Sequence, residues 1–227
     1  MDETADLARA ARSIVEGASF DNNLLCIAEK EVFAVESIFD RLIAEMLKQP
    51  CVLLNAAQIE ALTKKAFAFQ GDGVGCAAPV LKRDLVGKNA DVLAASIGLT
   101  IDPSTRLLIG ETSADHWFVK EEQMMPFVPF VRCRDVHEAI DQALKAEHGY
   151  GHTAIMHSKN VEHMSKMAKL VNTTIFVKNG SCLAGLGGGG EGYGSFSIAS
   201  PTGEGITTAR TFTRMRRCAL VDYFRIV

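Results

Sequence analysis

EVFAVESIFDRLIAEM, residues 31–46, changes its hydrophobic period without a pause. Residues 31–35 are β-branched or aromatic enough to read as a strand, and Ser37 then opens a helix through Leu47. The inner face of that helix would carry Ile38, Leu42, Ile43 and Met46. A strand running straight into a helix is the repeating unit of an α/β sheet, so the question is whether the unit recurs.

It recurs in both directions. Upstream, Leu7, Ala10, Ala11, Ile14 and Val15 predict a helix over 5–16, capped by Asp2 or Thr4 and closed by Gly17 in a left-handed conformation. Downstream, the pattern predicts helices over 58–67 and 90–97, the second closed by Gly98, and strands over 106–109 and 127–132. Pro129 hints at an edge or a bulge in the latter strand. Asp135-x-x-Glu138 reads as a capping box for a helix to about 147. A strand over 153–156, a helix from Asn160 to 170 and a strand over 174–177 complete the series. The Gly- and Pro-punctuated GDGVGCAAPVLKRD, 71–84, reads as a loop.

The expected fold is therefore three-layer α/β, with a mostly parallel sheet covered on both faces. Reactive groups are expected at the carboxyl ends of its strands and in the adjoining loops. The last fifth departs from the pattern. A glycine-rich run from Gly185 to Gly205 precedes a basic tail, RTFTRMRRCALVDYFRIV, in which 218–221 is expected to form a strand that needs an edge to pair with. Residues 1–207 would form one domain and 208–227 an oligomerisation tail.

Composition narrows the function classes. With 48% hydrophobic and 22% charged residues in 227, a sizeable core can be buried. A net charge of −3 gives no reason to expect nucleic acid or an anionic membrane as partner. No apolar run is long enough to span a bilayer, and MDETADLARAAR lacks the apolar centre of a signal peptide. Six cysteines, at 26, 51, 76, 133, 182 and 218, form no CxxC pair. They suit a reducing compartment, with the cytoplasm as default, and no metal site is expected.

Four stretches could carry chemistry. Cys26 follows the polar Asp21-Asn22-Asn23 turn and precedes the first strand; it is either a small buried hydrophobe or a nucleophile at the rim of a sheet. In Glu147-His148-Gly149-Tyr150-Gly151-His152, either histidine could pair with that thiol, while the glycines argue against a helical metal pair. Gly185-x-Gly187-x-x-Gly190 matches the dinucleotide fingerprint formally, but no amphipathic helix follows it. Glu121-Glu122 reads either as a solvated turn or as a carboxylate facing a ribose hydroxyl.

Together, GASFDNNLLCIAEKEVFAVESIFDRLIAEM, ADHWFVKEEQMMPFVPFVRCRDVHEAI, AEHGYGHTAIMHS and FVKNGSCLAGLGGGGEGYGSFSIASPTGEG resemble, in order, the hallmark blocks of the aldehyde dehydrogenase superfamily. The closer resemblance is to its coenzyme-A-acylating branch, the acetaldehyde and propionaldehyde dehydrogenases of bacterial microcompartments. That resemblance implies an oxidoreductase using NAD and coenzyme A on a short aldehyde, with Cys26 as nucleophile and its backbone N–H as oxyanion donor. It further implies Glu122 at the nicotinamide ribose, Gly187 and Gly188 bordering the substrate or CoA channel, and His152 assisting acyl transfer. It implies the catalytic half alone: the N-terminal NAD-binding domain would be absent, the chain alone would not reduce NAD, and the intact enzyme would be a homo-oligomer. The rivals are a cysteine-dependent acyltransferase or hydrolase, and a non-catalytic self-associating domain.

Overall fold

The computed structural model describes residues 1–68, 79–198 and 205–222. Helix α1 (Leu7–Ala18) is capped by Asp6, whose carboxylate accepts the Arg9 N–H at 3.1 Å. Asp2 and Thr4, expected as caps, instead bond each other and Ser158. Gly17 does not end the helix either; Ser19 caps it in a right-handed conformation. Glycine serves another purpose here, because a Cβ at Gly17 would lie 2.0 Å from Glu29 Oε2.

Strand β1 (Val32–Val35) passes directly into α2 (Glu36–Met46), as the 31–46 stretch predicts. A three-residue strand, β2 (Cys51–Leu53), follows and was not foreseen. Helix α3 (Ala56–Ala66) starts with a reciprocal Asn55–Gln58 capping box. Beyond it lie the short antiparallel pair β3 (Phe67–Ala68) and β4 (Val80–Leu81), then α4 (Ala90–Ser96). The expected loop 71–84 thus contributes β4, while 71–78 lies outside the described residues, Cys76 included. Strand β5 (Leu107–Thr112), the short helix α5 (Trp117–Lys120), β6 (Phe127–Cys133) and α6 (Val136–Ala146) continue the alternation. It ends with β7 (Thr153–Met156), α7 (Val161–Val171) and β8 (Ile175–Lys178).

The main sheet is parallel, in the order β1-β6-β5-β2. Alternate residues feed opposite faces: Leu107, Ile109, Val128 and Phe130 pack against α1 and α2, whereas Leu108 and Phe127 pack with α3, α4 and Phe118. Each such side chain buried contributes about 1.5–3 kcal/mol, so the two clusters hold the three layers together. Strands β7 and β8 form a separate parallel pair rather than extending the sheet.

Pro129 lies in an interior strand, not at an edge or bulge. Leu108 N–H donates to Pro126 C=O, so even-numbered residues of β6 face β5 and Pro129 faces β1. The register places Lys30 C=O opposite the proline nitrogen, which has no hydrogen to give. The buried Gln123 side-chain amide substitutes, donating to Lys30 C=O at 3.1 Å and to Phe127 C=O at 2.8 Å.

Residues 213–222 form no regular element and are exposed, so the strand expected over 218–221 is not formed. No described helix is long and apolar enough to cross a membrane.

Candidate functional site

Between α1 and β1 the chain makes a left-handed turn at Asp21, Asn22 and Asn23, with φ of 48°, 52° and 65°. Asn and Asp tolerate this region better than other side-chain-bearing residues, and even they rarely occupy it in succession. Side-chain bonds hold the turn. Asn22 Nδ2 donates to Gly87 C=O at 3.0 Å and to Asn89 Oδ1 at 2.8 Å. Asn23 Nδ2 donates to Ala18 C=O at 2.9 Å and to Glu29 C=O at 3.0 Å, closing the loop from end to end. Cys26 sits at the crown of that closed loop and is exposed. Its N–H takes no hydrogen bond among the described residues.

The other described cysteines differ. Burial pushes the thiols of Cys51 and Cys133 up to about 11, and that of Cys182 upward too, with Glu29 adding to the effect. Cys218 is exposed, but on the irregular tail.

A cavity of about 500 Å³ opens beside Cys26. At this end it is walled by Cys26, Glu122, Glu147 and His152, and further in by aliphatic side chains between β1 and β7. His152 Nδ1 is 2.7 Å from Thr153 Oγ1, and its backbone N–H donates to Glu147 Oε1 at 3.0 Å. Burial lowers the imidazole pKa, while Glu147 and Glu122 pull it back up. The ring is therefore mostly neutral near pH 7 and able to accept a proton. Glu122 is an exposed carboxylate on the rim, within electrostatic reach of His152. His148 is turned elsewhere, its Nε2 lying 3.1 Å from Lys120 C=O.

Cys26 and His152 stand at the amino ends of β1 and β7, not at carboxyl ends as expected of such sheets. The reason is local. No residue separates β1 from α2, so the carboxyl end of that strand has no loop to carry a site.

Gly187 and Gly188 do not line the cavity. They belong to a compact turn after the 3-10 segment Cys182–Leu186, in which Gly187 has φ of 87° and Gly188 N–H donates to Leu183 C=O at 2.8 Å. No α-helix follows Gly190 among the described residues, only a 3-10 turn at Ala209–Phe212, so the dinucleotide fingerprint lacks its framework. That turn nevertheless reaches the Cys26 loop, because Cys182 N–H donates to Glu29 Oε1 at 2.9 Å. Burial raises the Glu29 carboxyl to about 7, against the lowering effect of the Cys182 N–H. Asn23 and Glu29 are the residues that sequence reasoning missed. The signals were an Asn suited to left-handed backbone, and an acid three residues past a cysteine in an otherwise apolar run.

No family model matches the chain. The curated relatives do: it is 52% identical over its whole length to the acetaldehyde dehydrogenase (acetylating) EutE of Salmonella typhimurium, covering 48% of that protein. Among solved structures, propionaldehyde dehydrogenase of Rhodopseudomonas palustris, with bound CoA and an acylated cysteine, superposes with a TM-score of 0.87 at 45% identity. The match covers 96% of this chain and 48% of that one. A propionaldehyde dehydrogenase from the fucose-utilisation microcompartment of Clostridium phytofermentans matches with a TM-score of 0.86 at 42% identity, over 96% and 48% of the two chains. The chain spans about half the length of the curated relatives it matches. It is, throughout, a homologue of part of the CoA-acylating aldehyde dehydrogenases.

Proposed function

We propose that residues 1–207 are the thiol-bearing catalytic part of a CoA-acylating aldehyde dehydrogenase acting on a short aldehyde such as acetaldehyde or propanal. The observation that carries this reading is Cys26: an exposed thiol on a strained, closed loop at the mouth of a cavity that His152 and Glu122 also line.

In the acyl-transfer half of the reaction, the Cys26 thiolate attacks the carbonyl carbon of an acyl-CoA. The addition gives a tetrahedral oxyanion whose collapse breaks the carbon–sulfur bond to CoA, and the CoA thiolate takes a proton; the forward reaction runs the same steps in reverse. Neutral His152, which lines the same cavity, is the group we assign to carry that proton. The free N–H of Cys26 is the candidate donor to the tetrahedral oxyanion, a contribution of about 10²-fold or more in rate.

In the oxidative half, Cys26 adds to the aldehyde as a thiohemiacetal, which must lose a hydride from carbon and the proton from its hydroxyl to become the thioester. NAD, when bound, supplies the hydride acceptor, and Glu122 is the carboxylate suited to a ribose hydroxyl. The described residues offer no glycine-rich strand–turn–helix for the rest of a dinucleotide, so the remainder of a full-length enzyme would supply it. Accordingly, the 227-residue chain alone is expected not to reduce NAD. A bacterial cytoplasmic location, within a microcompartment, and assembly through the 208–227 tail belong to the same reading.

The test is intact mass after incubation with propionyl-CoA. A single propionyl adduct on Cys26, absent from Cys26→Ser, is expected. No adduct, or one spread over the other thiols, refutes the reading. Rapid release of free propionate from the adduct would instead favour a thiol hydrolase.

A further inference from the structure

His152 stands one residue before β7, where the chain is still turning. His148, Gly149 and Gly151 just ahead of it are left-handed, with φ of 56°, 79° and 62°. That turn brings the His152 N–H back to Glu147 Oε1 at 3.0 Å, while its C=O accepts from Ile175 N–H at 3.1 Å. The backbone on either side of the ring is thus tied to the end of α6 and to β8.

The ring has its own tie. Successive side chains along a strand point to opposite faces, so neighbours in a regular strand do not meet. His152 Nδ1 nevertheless lies 2.7 Å from Thr153 Oγ1, because His152 still belongs to the turn while Thr153 already belongs to β7. Thr153 is β-branched, which restricts its χ1 and makes the hydroxyl a fixed partner. The N–H, the C=O and Nδ1 of His152 are therefore all committed. Nε2 makes no hydrogen bond among the described residues, and the residue lines the cavity with Cys26.

We propose that Thr153 is a positioning residue for His152: its hydroxyl oxygen accepts from Nδ1–H, which leaves Nε2 as the bare nitrogen that takes the thiol proton when CoA attacks the acyl group on Cys26. This role rests on the catalytic reading of Cys26. In that step the CoA sulfur bonds to the thioester carbon as its proton passes to Nε2. Collapse of the tetrahedral oxyanion then breaks the carbon–sulfur bond to Cys26, which leaves as thiolate. The imidazolium so formed carries hydrogen on both nitrogens, so Thr153 Oγ1 must accept from Nδ1–H in the charged ring. An oxygen that accepts in the neutral ring too needs no rotation between the two forms, and the proton comes and goes at Nε2 alone. Without the hydroxyl, the Nε2–H tautomer is no longer disfavoured, and that form takes no proton at Nε2. The titratable groups sharing this wall are Glu147 and Tyr150 on the ring's own side, Glu122 ahead of β6, and Cys26, Glu29, Lys30 and Glu31 ahead of β1. Among the described residues Thr153 is the one bonded to Nδ1.

The test follows return of the propionyl group from Cys26 to added CoA by intact mass, in the full chain and in Thr153→Val and Thr153→Ser. At about pH 7, Thr153→Val is expected to be at least about tenfold slower than the parent, and Thr153→Ser within about threefold of it. Near pH ~9 a thiol of pKa ~8.5 is largely ionised without help, so the gap to Thr153→Val is expected to close. A structural fault would leave the same gap at every pH. Nitrogen-15 shifts of the His152 ring are expected to show Nδ1–H in the parent and an admixture of Nε2–H in Thr153→Val. The parent's shifts need no variant, so they decide the tautomer even where Thr153→Val misfolds. Equal rates for parent and Thr153→Val, a gap that does not change with pH, or Nε2–H in the parent overturns this proposal and leaves the catalytic reading standing. A parent chain that takes no propionyl group on Cys26 overturns that reading, and the role of Thr153 with it.

Discussion

Strand β1 is finished on one side and unfinished on the other. Its β6 edge continues through β5 and β2 in register, with helices sealing both faces and Phe127, Phe130 and Leu107 wholly buried. Its other edge meets a cavity, and polar groups accumulate around that cavity: Glu29 and His157 are buried, and Cys26, Glu122 and His152 stand at its mouth. Stability in the first region comes from apolar area, with no titratable group required. The second adds hydrogen bonds from buried side chains to its apolar packing. The candidate site gathers where the sheet is incomplete.

The sharpest way to break this comparison is to damage the finished side. Phe118 is fully buried between Phe67 and Phe127, with ring centroids 5.2 and 4.6 Å away. Phe118→Ala removes that ring and leaves a cavity that close-packed neighbours fill only in part, so a loss of about 3–5 kcal/mol is expected. Urea denaturation measures it. A loss under about 1 kcal/mol would mean this side is no better packed than the open one.

A pH profile tests the unfinished side. The folded-state pKa of Glu29 is raised from 4.5 to about 7, chiefly by burial. Between those values the native state keeps a proton that the unfolded state has lost, so stability falls as pH rises through this window and is flat beyond it. At ~1.4 kcal/mol per unit the full effect is about 3 kcal/mol. His157 works in the opposite sense: burial lowers its pKa from 6.5 to about 4, so the stability it contributes grows as pH rises between those values. The two nearly cancel from about pH 4.5 to 6.5. Glu29→Gln keeps an oxygen for the Cys182 N–H and removes one of the opposing titrations. Its stability is expected to climb more steeply than the parent's from about pH 4.5 to 6.5, by about 3 kcal/mol at most. Parallel profiles for the two proteins would show that Glu29 does not titrate there.

The finished side was largely legible in the sequence, and the unfinished side was not. The periods that predict α2, α6 and α7 are local, and packing on the sheet only ratifies them. Strand β2 escaped because three residues after Pro50 carry no measurable alternation. Pro129 misled because its missing donor is replaced by Gln123, an arrangement visible only once Lys30 is opposite. At the site, Cys26 and His152 were found by residue type, and both do line the cavity. Glu29 was not, since its partner Cys182 is 153 residues away, and neither its burial nor its bond follows from its neighbours. The tail strand over 218–221 failed for a related reason: β-propensity without an edge does not make a strand.

Asn23 joins the two accounts, and altering it should have the smallest of the three effects on stability. Its side-chain amide gives two buried bonds, to the residue that closes α1 and to the residue that leads into β1. Its backbone is left-handed at φ of 65°, which an alanine adopts less readily than an asparagine. Losing both bonds at about 1 kcal/mol each puts Asn23→Ala at about 2 kcal/mol. The larger consequence should appear at Cys26, three residues on, because the loop that holds the thiol at the cavity would no longer be tied across its base. Iodoacetamide labelling of Cys26 is therefore expected to change in rate, while the buried Cys51 and Cys133 stay unreactive until the protein unfolds. Labelling of Cys26 at the parent rate, alongside the same loss of stability, would reduce Asn23 to a structural residue and place control of the thiol elsewhere in the loop.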